Sequence, residues 1–113
     1  ELYTVEDKRI EYLCLSLSEQ YNTQIIITMK KSRRFIIARH GETDFNRERR
    51  VQGTSNESSL TDKGVSQAAA LGAYISEREK ITKTICSPLR RCRQTYAQIS
   101  EVCAANDNAL PEP

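Results

Sequence analysis

One short apolar run constrains this chain more than any other feature. Phe35-Ile36-Ile37-Ala38 stops abruptly at Arg39-His40-Gly41. Such a run, about 34 to 39, reads as a buried strand whose carboxyl end delivers a cation, an imidazole and a flexible backbone point into a loop. In open parallel α/β sheets, ligands bind just outside the carboxyl ends of the strands. His40 is also the sole histidine of the chain. Imidazole is the one side chain whose unperturbed pKa lies near neutrality, so it can act as a neutral nucleophile or as a base.

The pattern downstream alternates helix and strand. Loop 40–60 is polar and longer than a compact domain normally tolerates without a functional reason. A helix is expected over about 60–79. Thr61 suits its N-cap, Asp62 suits its positive end, and Val65, Ala68, Ala69, Leu71, Gly72 and Ile75 supply an apolar stripe. A strand is expected over 82–86. A second helix then opens with Ser87 as N-cap and Pro88 at its first position, and runs to about 105 on Leu89, Cys92, Tyr96, Ile99 and Cys103. Asn106-Asp107-Asn108 ends it. The order is β-α-β-α, and two parallel strands joined by a helix imply a right-handed crossover. That topology puts His40 and the arginines of the second helix at the same sheet edge.

Upstream, the reading is divided. Ile10, Leu13 and Leu17 share a helical face, while Leu13, Leu15 and Leu17 also alternate with Cys14, Ser16 and Ser18. A helix over about 5–20 is expected, followed by a short strand at Ile25-Ile26-Ile27-Thr28. Met29 stands just ahead of the motif-bearing chain. Residues 1–28 are therefore expected to be an extension, linker or imperfect gene model, and 29–113 the functional domain.

Composition narrows the class. The 113 residues are 38% apolar and 28% charged, with a net charge of +2, too small to imply nucleic-acid binding. Basic clusters occur at 30–34, 47–50 and 90–93. Each reads either as a solvated face or as a positive field for an anionic substrate. The four cysteines have no CxxC spacing and only one histidine for company, which argues against a zinc site and suits buried thiols in a reducing, cytoplasmic setting. No run approaches the ~18 apolar residues of a membrane span. The opening Glu1-Leu2-Tyr3 is unlike a signal peptide. No GxGxxG follows either expected strand, against a dinucleotide-binding fold.

Three blocks carry a resemblance. Arg39-His40-Gly41-Glu42-Thr43 with Asn46, then Arg50-Val51-Gln52-Gly53 with Leu60-Thr61-Asp62-Lys63-Gly64 and Gln67-Ala68, then Ser87-Pro88-Leu89-Arg90-Arg91-Cys92-Arg93-Gln94-Thr95 occur in order. Together they resemble the histidine phosphatase superfamily, the phosphoglycerate-mutase-like proteins, over about residues 33 to 105. The resemblance implies an α/β fold: a three-layer αβα sandwich with a mainly parallel sheet. It implies that His40 is a phosphohistidine nucleophile, that Arg39 and Arg91 clamp the phosphate, and that Asn46 adds a neutral donor. Gly41, Thr43, Gln52 and Gly53 join the substrate site on the same basis. Gly41 and Gly53 are also candidates for positive φ. Glu42 reads as a hydrogen-bond partner within the loop and Arg90 as a surface residue.

The implied activity is a phosphomonoester phosphatase acting on a small phosphorylated metabolite. Gln52-Gly53 is commoner among the phosphatases, whereas a phosphoglycerate mutase, with 2,3-bisphosphoglycerate as its cofactor, or a fructose-2,6-bisphosphatase runs the same half-reaction. From another class, a non-catalytic phosphate-binding or interaction protein also fits. No metal, nucleic acid or membrane is implied, and a homodimer is compatible. The family's acidic proton donor and second histidine come later in its domain. The chain is therefore expected to be the N-terminal part of such a domain and, alone, weakly active or inactive.

Overall fold

The computed structural model describes residues 2–18 and 23–113, with side chains from Arg34 onward. It divides into two compact units, Glu1–Arg39 and His40–Pro113. The first is a two-stranded antiparallel ribbon of β1 (Leu2–Ser18) and β2 (Thr23–Ala38). The register runs from Leu2 opposite Ala38 to Ser18 opposite Thr23, with one irregularity between Ile10 and Tyr12.

This ribbon corrects two expectations. Residues 2–18 form a strand where a helix was expected over 5–20; residues 19–20 of that helix lie outside the described residues. The period-two alternation of Leu13, Leu15 and Leu17 outweighs a helical face of only three residues, and β-branched Ile25-Ile26-Ile27 supplies the partner. The strands expected at 25–28 and 34–39 are both parts of β2. Segment 82–86 forms no strand, so no parallel pair occurs among the described residues. A strand exists only through its neighbour, and the end of β2 is paired antiparallel, Phe35 with Val5 and Ala38 with Leu2.

The second unit contains a short helix α1 (Asp44–Arg47) and two long ones, α2 (Asp62–Arg78) and α3 (Arg90–Ala105). α2 and α3 pack together around Ala68, Ile75, Ile99 and Cys103, with Leu71, Ile81 and Leu110 against them. Burying an isoleucine contributes roughly 2–3 kcal/mol. The crossing is close at Gly72, where a Cβ would lie 2.9 Å from Val102 Cβ. Cys103, fully buried, points its thiol at the Gly72 carbonyl at 3.5 Å.

The two helices run in the same direction. Gly72 meets Ile99 and Val102, and four residues on, the Ser76 Oγ accepts from Asn106 Nδ2 at 2.9 Å. The chain between them must therefore return along α2, whose 17 residues span roughly 25 Å. Segment 79–89 is too short for this at ~1.5 Å per residue and long enough when extended at ~3.3 Å. Its extended course is what the sequence foresaw, without the pairing. Beyond α3, Asn108 Nδ2 donates to the Ser76 and Glu79 carbonyls (3.1 and 2.8 Å), satisfying the free C-terminal end of α2. Tyr96 OH donates to the Pro111 carbonyl at 3.0 Å.

Both long helices begin near their expected starts. Thr61 caps α2 by accepting from Gly64 N at 3.1 Å. At α3 the N-cap is Leu89 rather than Ser87. It has no side-chain cap of its own, and Asn56 Oδ1 from the preceding loop accepts from Arg90 N instead. Loop 40–60 is closed at its base, where Thr43 bridges Leu60, Asp44 N donates to Ser59 O (3.0 Å) and Thr61 N donates to Glu42 O (2.9 Å).

Candidate functional site

Three segments meet at the N-terminal ends of α2 and α3: residues 40–43, the turn at 52–58, and the first turns of α3. His40 is half-buried, with Nδ1 2.7 Å from the Gly41 carbonyl oxygen. A carbonyl only accepts, so this is a hydrogen bond when Nδ1 carries the proton. In the neutral ring Nε2 then holds the free lone pair.

Gly41 is buried and fixed from two sides. Its N–H donates to Thr95 Oγ1 at 3.0 Å, and Thr95 Oγ1 donates to the Arg91 carbonyl at 2.8 Å. A Cβ on Gly41 would lie 2.9 Å from Gly64 C, and one on Gly64 would lie 2.9 Å from Glu42 N. The two glycines thus let backbone pack on backbone. Of the two glycines expected to have positive φ, only Gly53 does, at +50°; Gly41 is required for close approach.

Glu42 anchors the loop to α2. Its N–H donates to Gln67 Oε1 at 2.9 Å, and its carboxylate accepts from Thr61 Oγ1 at 2.9 Å and pairs with Lys63 at 3.5 Å. Thr43, fully buried, is the N-cap of α1 in a capping box with Asn46. Its Oγ1 accepts from Asn46 N at 3.1 Å. The single hydroxyl proton reaches either Asn46 Oδ1 (3.0 Å) or Gln52 Oε1 (2.8 Å). Ser58, 1% exposed, donates to the same Gln52 oxygen at 2.8 Å. The oxygens of Thr43, Asn46 and Gln52 are thus occupied within the loop. What Asn46 and Gln52 can offer a ligand is their amide N–H groups.

Arg91 is 8% exposed. Nη1 donates to the Ser55 carbonyl at 2.9 Å and Nη2 to the Gly53 carbonyl at 2.8 Å. Nε is buried with no hydrogen-bond partner among the described residues. Each charge-assisted bond stabilises by about 1.5–3 kcal/mol, and a buried donor left unpaired costs about 1–3 kcal/mol. The guanidinium thus shapes the turn at 53–55, with its Nε–H left without an acceptor among the described residues. Arg90 is exposed, as expected. Arg39, the last residue of the first unit, is exposed as well.

Burial pushes the Cys103 thiol up, and burial, reinforced by neighbouring Cys92 and opposed by Arg93, pushes Cys86 up, so both stay thiols at neutral pH. Among the described residues no cluster of His, Cys, Asp and Glu could hold a metal ion, and no helix is long and apolar enough to cross a membrane. Thr95, Gln67, Ser58 and the Thr61 hydroxyl were not singled out as parts of the site. Thr95 and Gln67 do lie inside the quoted motifs, and their spacing from Arg91 and Gly64 is the signal that could have found them.

The histidine phosphatase superfamily (branch 1) matches residues 35–112. The chain therefore belongs to that superfamily, an α/β family, and the structure is correspondingly mixed helix and strand. A protein of Serratia proteamaculans described as a probable phosphoglycerate mutase, GpmB, is 42% identical over 79 residues, covering 67% of this chain and 36% of that protein. Proteins of the same description from Shigella dysenteriae and Erwinia tasmaniensis are 43% and 41% identical over 70 residues, each covering 62% of this chain and 32% of the relative. The chain thus spans about a third of the length of these relatives. No solved structure matches it significantly.

Proposed function

We propose that this chain carries the nucleophile and part of the phosphate site of a phosphomonoester phosphatase that works through a phosphohistidine on His40. The observation that supports this most is the hydrogen bond from His40 Nδ1 to the Gly41 carbonyl, which in the neutral ring leaves Nε2 with its lone pair. Nε2 attacks phosphorus, the P–O bond to the leaving alcohol breaks, and water later hydrolyses the phosphoramidate. Arg91 Nε and Arg39 neutralise the phosphate oxygens, the amide groups of Asn46 and Gln52 add neutral donors, and the backbone of Gly41 and Gly53 with the Thr43 hydroxyl shapes the cradle. The nearby Glu42 carboxylate is engaged by Thr61 and Lys63 and is not assigned as the proton donor.

The rest of the reading follows from it. The substrate is a small phosphorylated metabolite. The domain begins near Met29 and has the three-layer, mainly parallel sheet of its family. The protein is cytoplasmic, compatible with a homodimer, and without nucleic-acid or membrane partners. The relatives' description favours a second reading, a phosphoglycerate mutase that returns the phosphoryl group to substrate and takes 2,3-bisphosphoglycerate as cofactor. The 113-residue polypeptide is expected to label on His40 and to be weakly active on its own. The test is acid quenching after incubation with a ³²P-labelled phosphoryl donor. Acid-labile, base-stable label present in the wild type and absent in His40→Ala supports the proposal. Label retained in His40→Ala refutes it.

A further inference from the structure

The hydroxyl of Thr95 stands between the two halves of the site. Thr95 is 5% exposed on α3, one turn beyond Arg91. Its proton goes to the Arg91 carbonyl at 2.8 Å, which turns an oxygen lone pair toward the Gly41 N–H at 3.0 Å. The other polar group of Gly41, its carbonyl, accepts from His40 Nδ1 at 2.7 Å. A single chain of hydrogen bonds therefore runs from the backbone of Arg91, through Thr95 and Gly41, to the imidazole. Among the described residues the other anchor for Gly41 is steric, its backbone against Gly64, which sets distance but offers its N–H no acceptor.

We propose that Thr95 is a positioning residue: its hydroxyl holds Gly41 so that His40 keeps the Nδ1–H tautomer with Nε2 free, at a fixed separation from Arg91. This rests on the phosphohistidine reading for its purpose but not for its geometry. The helix between Arg91 and Thr95 is a rigid spacer of one turn, so nucleophile and clamp are referred to the same element. The methyl group of Thr95 has no part in this. Thr95→Ser should therefore preserve the arrangement, and Thr95→Val, of nearly the same shape, should lose it.

The test uses the chain's single histidine. In ¹⁵N-histidine-labelled protein, at a pH where the imidazole is neutral, wild type and Thr95→Ser should show Nδ1 protonated. Thr95→Val should move toward the mixture of tautomers seen for free imidazole. With phosphoramidate as phosphoryl donor, Thr95→Val should label His40 about tenfold to a hundredfold more slowly, the scale expected of a small misplacement, while Thr95→Ser stays close to wild type. An unchanged tautomer in folded Thr95→Val, or Thr95→Ser behaving like Thr95→Val, would overturn the proposal. If Thr95→Val does not fold, hydrogen exchange in the wild type decides: slow exchange at the Gly41 amide supports the bond, and exchange at the unprotected rate overturns it. Failure of wild type to label at all would refute the phosphohistidine reading, and the tautomer comparison would still decide the role of Thr95.

Discussion

The two ends of the α2–α3 pair are built from opposite materials. From the middle of the pair to its C-terminal ends, Ala68, Ile75, Ile99 and Cys103 form the apolar core, closed by Asn106 and Asn108. At the N-terminal ends, buried Thr43 and Ser58 are knit by hydrogen bonds within the loop, and buried Arg91 and Thr95 tie that loop to α3. The apolar end tolerates imprecision, since dispersion and burial vary smoothly with position. The polar end does not, because a displaced donor loses its bond outright. Stability and site are thus separated along one pair of helices, and substitutions should report one or the other.

The largest effect should come from the apolar end. Ile99→Ala removes most of a buried side chain from a core of four residues, at about 2–5 kcal/mol. Urea unfolding should show a large fall in midpoint, while phosphate affinity of the remaining folded protein stays put. A matching loss of affinity would mean that the two ends are not separate. Next comes the clamp. Arg91→Lys keeps the charge but cannot bridge the Gly53 and Ser55 carbonyls. Titration calorimetry with vanadate should show binding weakened about tenfold or more, against little change for Arg90→Lys. Equal effects would place the clamp elsewhere.

Gly41→Ala probes the close approach directly. Its Cβ would press on the Gly64 backbone, at about 1–3 kcal/mol for overpacking, and should abolish His40 labelling even in folded protein. Smaller again is the response to alkali. Cys103 is held above the usual thiol value of 9.0 by burial. Because the folded pKa is the higher one, its contribution is whole below the unfolded thiol pKa and is lost as pH rises through the folded value. The urea midpoint should fall as pH rises above the ordinary thiol range, and fall less in Cys103→Ala. Identical slopes would rule out that thiol as the cause.

The same contrast explains what could be read from sequence. α2 and α3 were legible because Thr61, the apolar stripes and Asn106-Asp107-Asn108 are local signals that agree with the packing. Motif spacing singled out His40, Arg91 and Gly53, and the structure places them in the segments that meet at the N-terminal ends of α2 and α3. The start of α3 at Leu89 was missed because the acceptor for the Arg90 N–H, Asn56, is 34 residues away from it. The long ribbon was missed because strand pairing depends on a distant partner, and the period-two signal of Leu13, Leu15 and Leu17 competed with a helical one. Segment 82–86 was legible as extended chain but not in its lack of pairing, which no residue within it dictates. Gly41 was singled out for the substrate site, with positive φ as a second candidate reason; its close contact with Gly64 is one that spacing alone does not reveal.

The smallest expected effect tests whether the basic cluster at 47–50 belongs to the site or only lies near it. Arg50 stacks on the ring of buried Phe45, 3.8 Å from its centroid, and pairs with Glu48 at 3.2 Å, with half its side chain in water. An exposed cation–π contact contributes about 0.5–1 kcal/mol and an exposed ion pair at most about as much. Its charge is largely answered by Glu48 and screened beyond ~8 Å at physiological salt. Arg50→Ala should therefore lower the unfolding midpoint slightly and leave vanadate affinity within about twofold of wild type at both low and physiological salt. Arg50→Leu, which keeps an apolar cover on Phe45, should recover part of the midpoint. A loss of affinity that is strong at low salt and fades as salt is added would instead assign this cluster to the field that draws in the anion. The polar end would then reach beyond the hydrogen-bonded residues around His40 and Arg91.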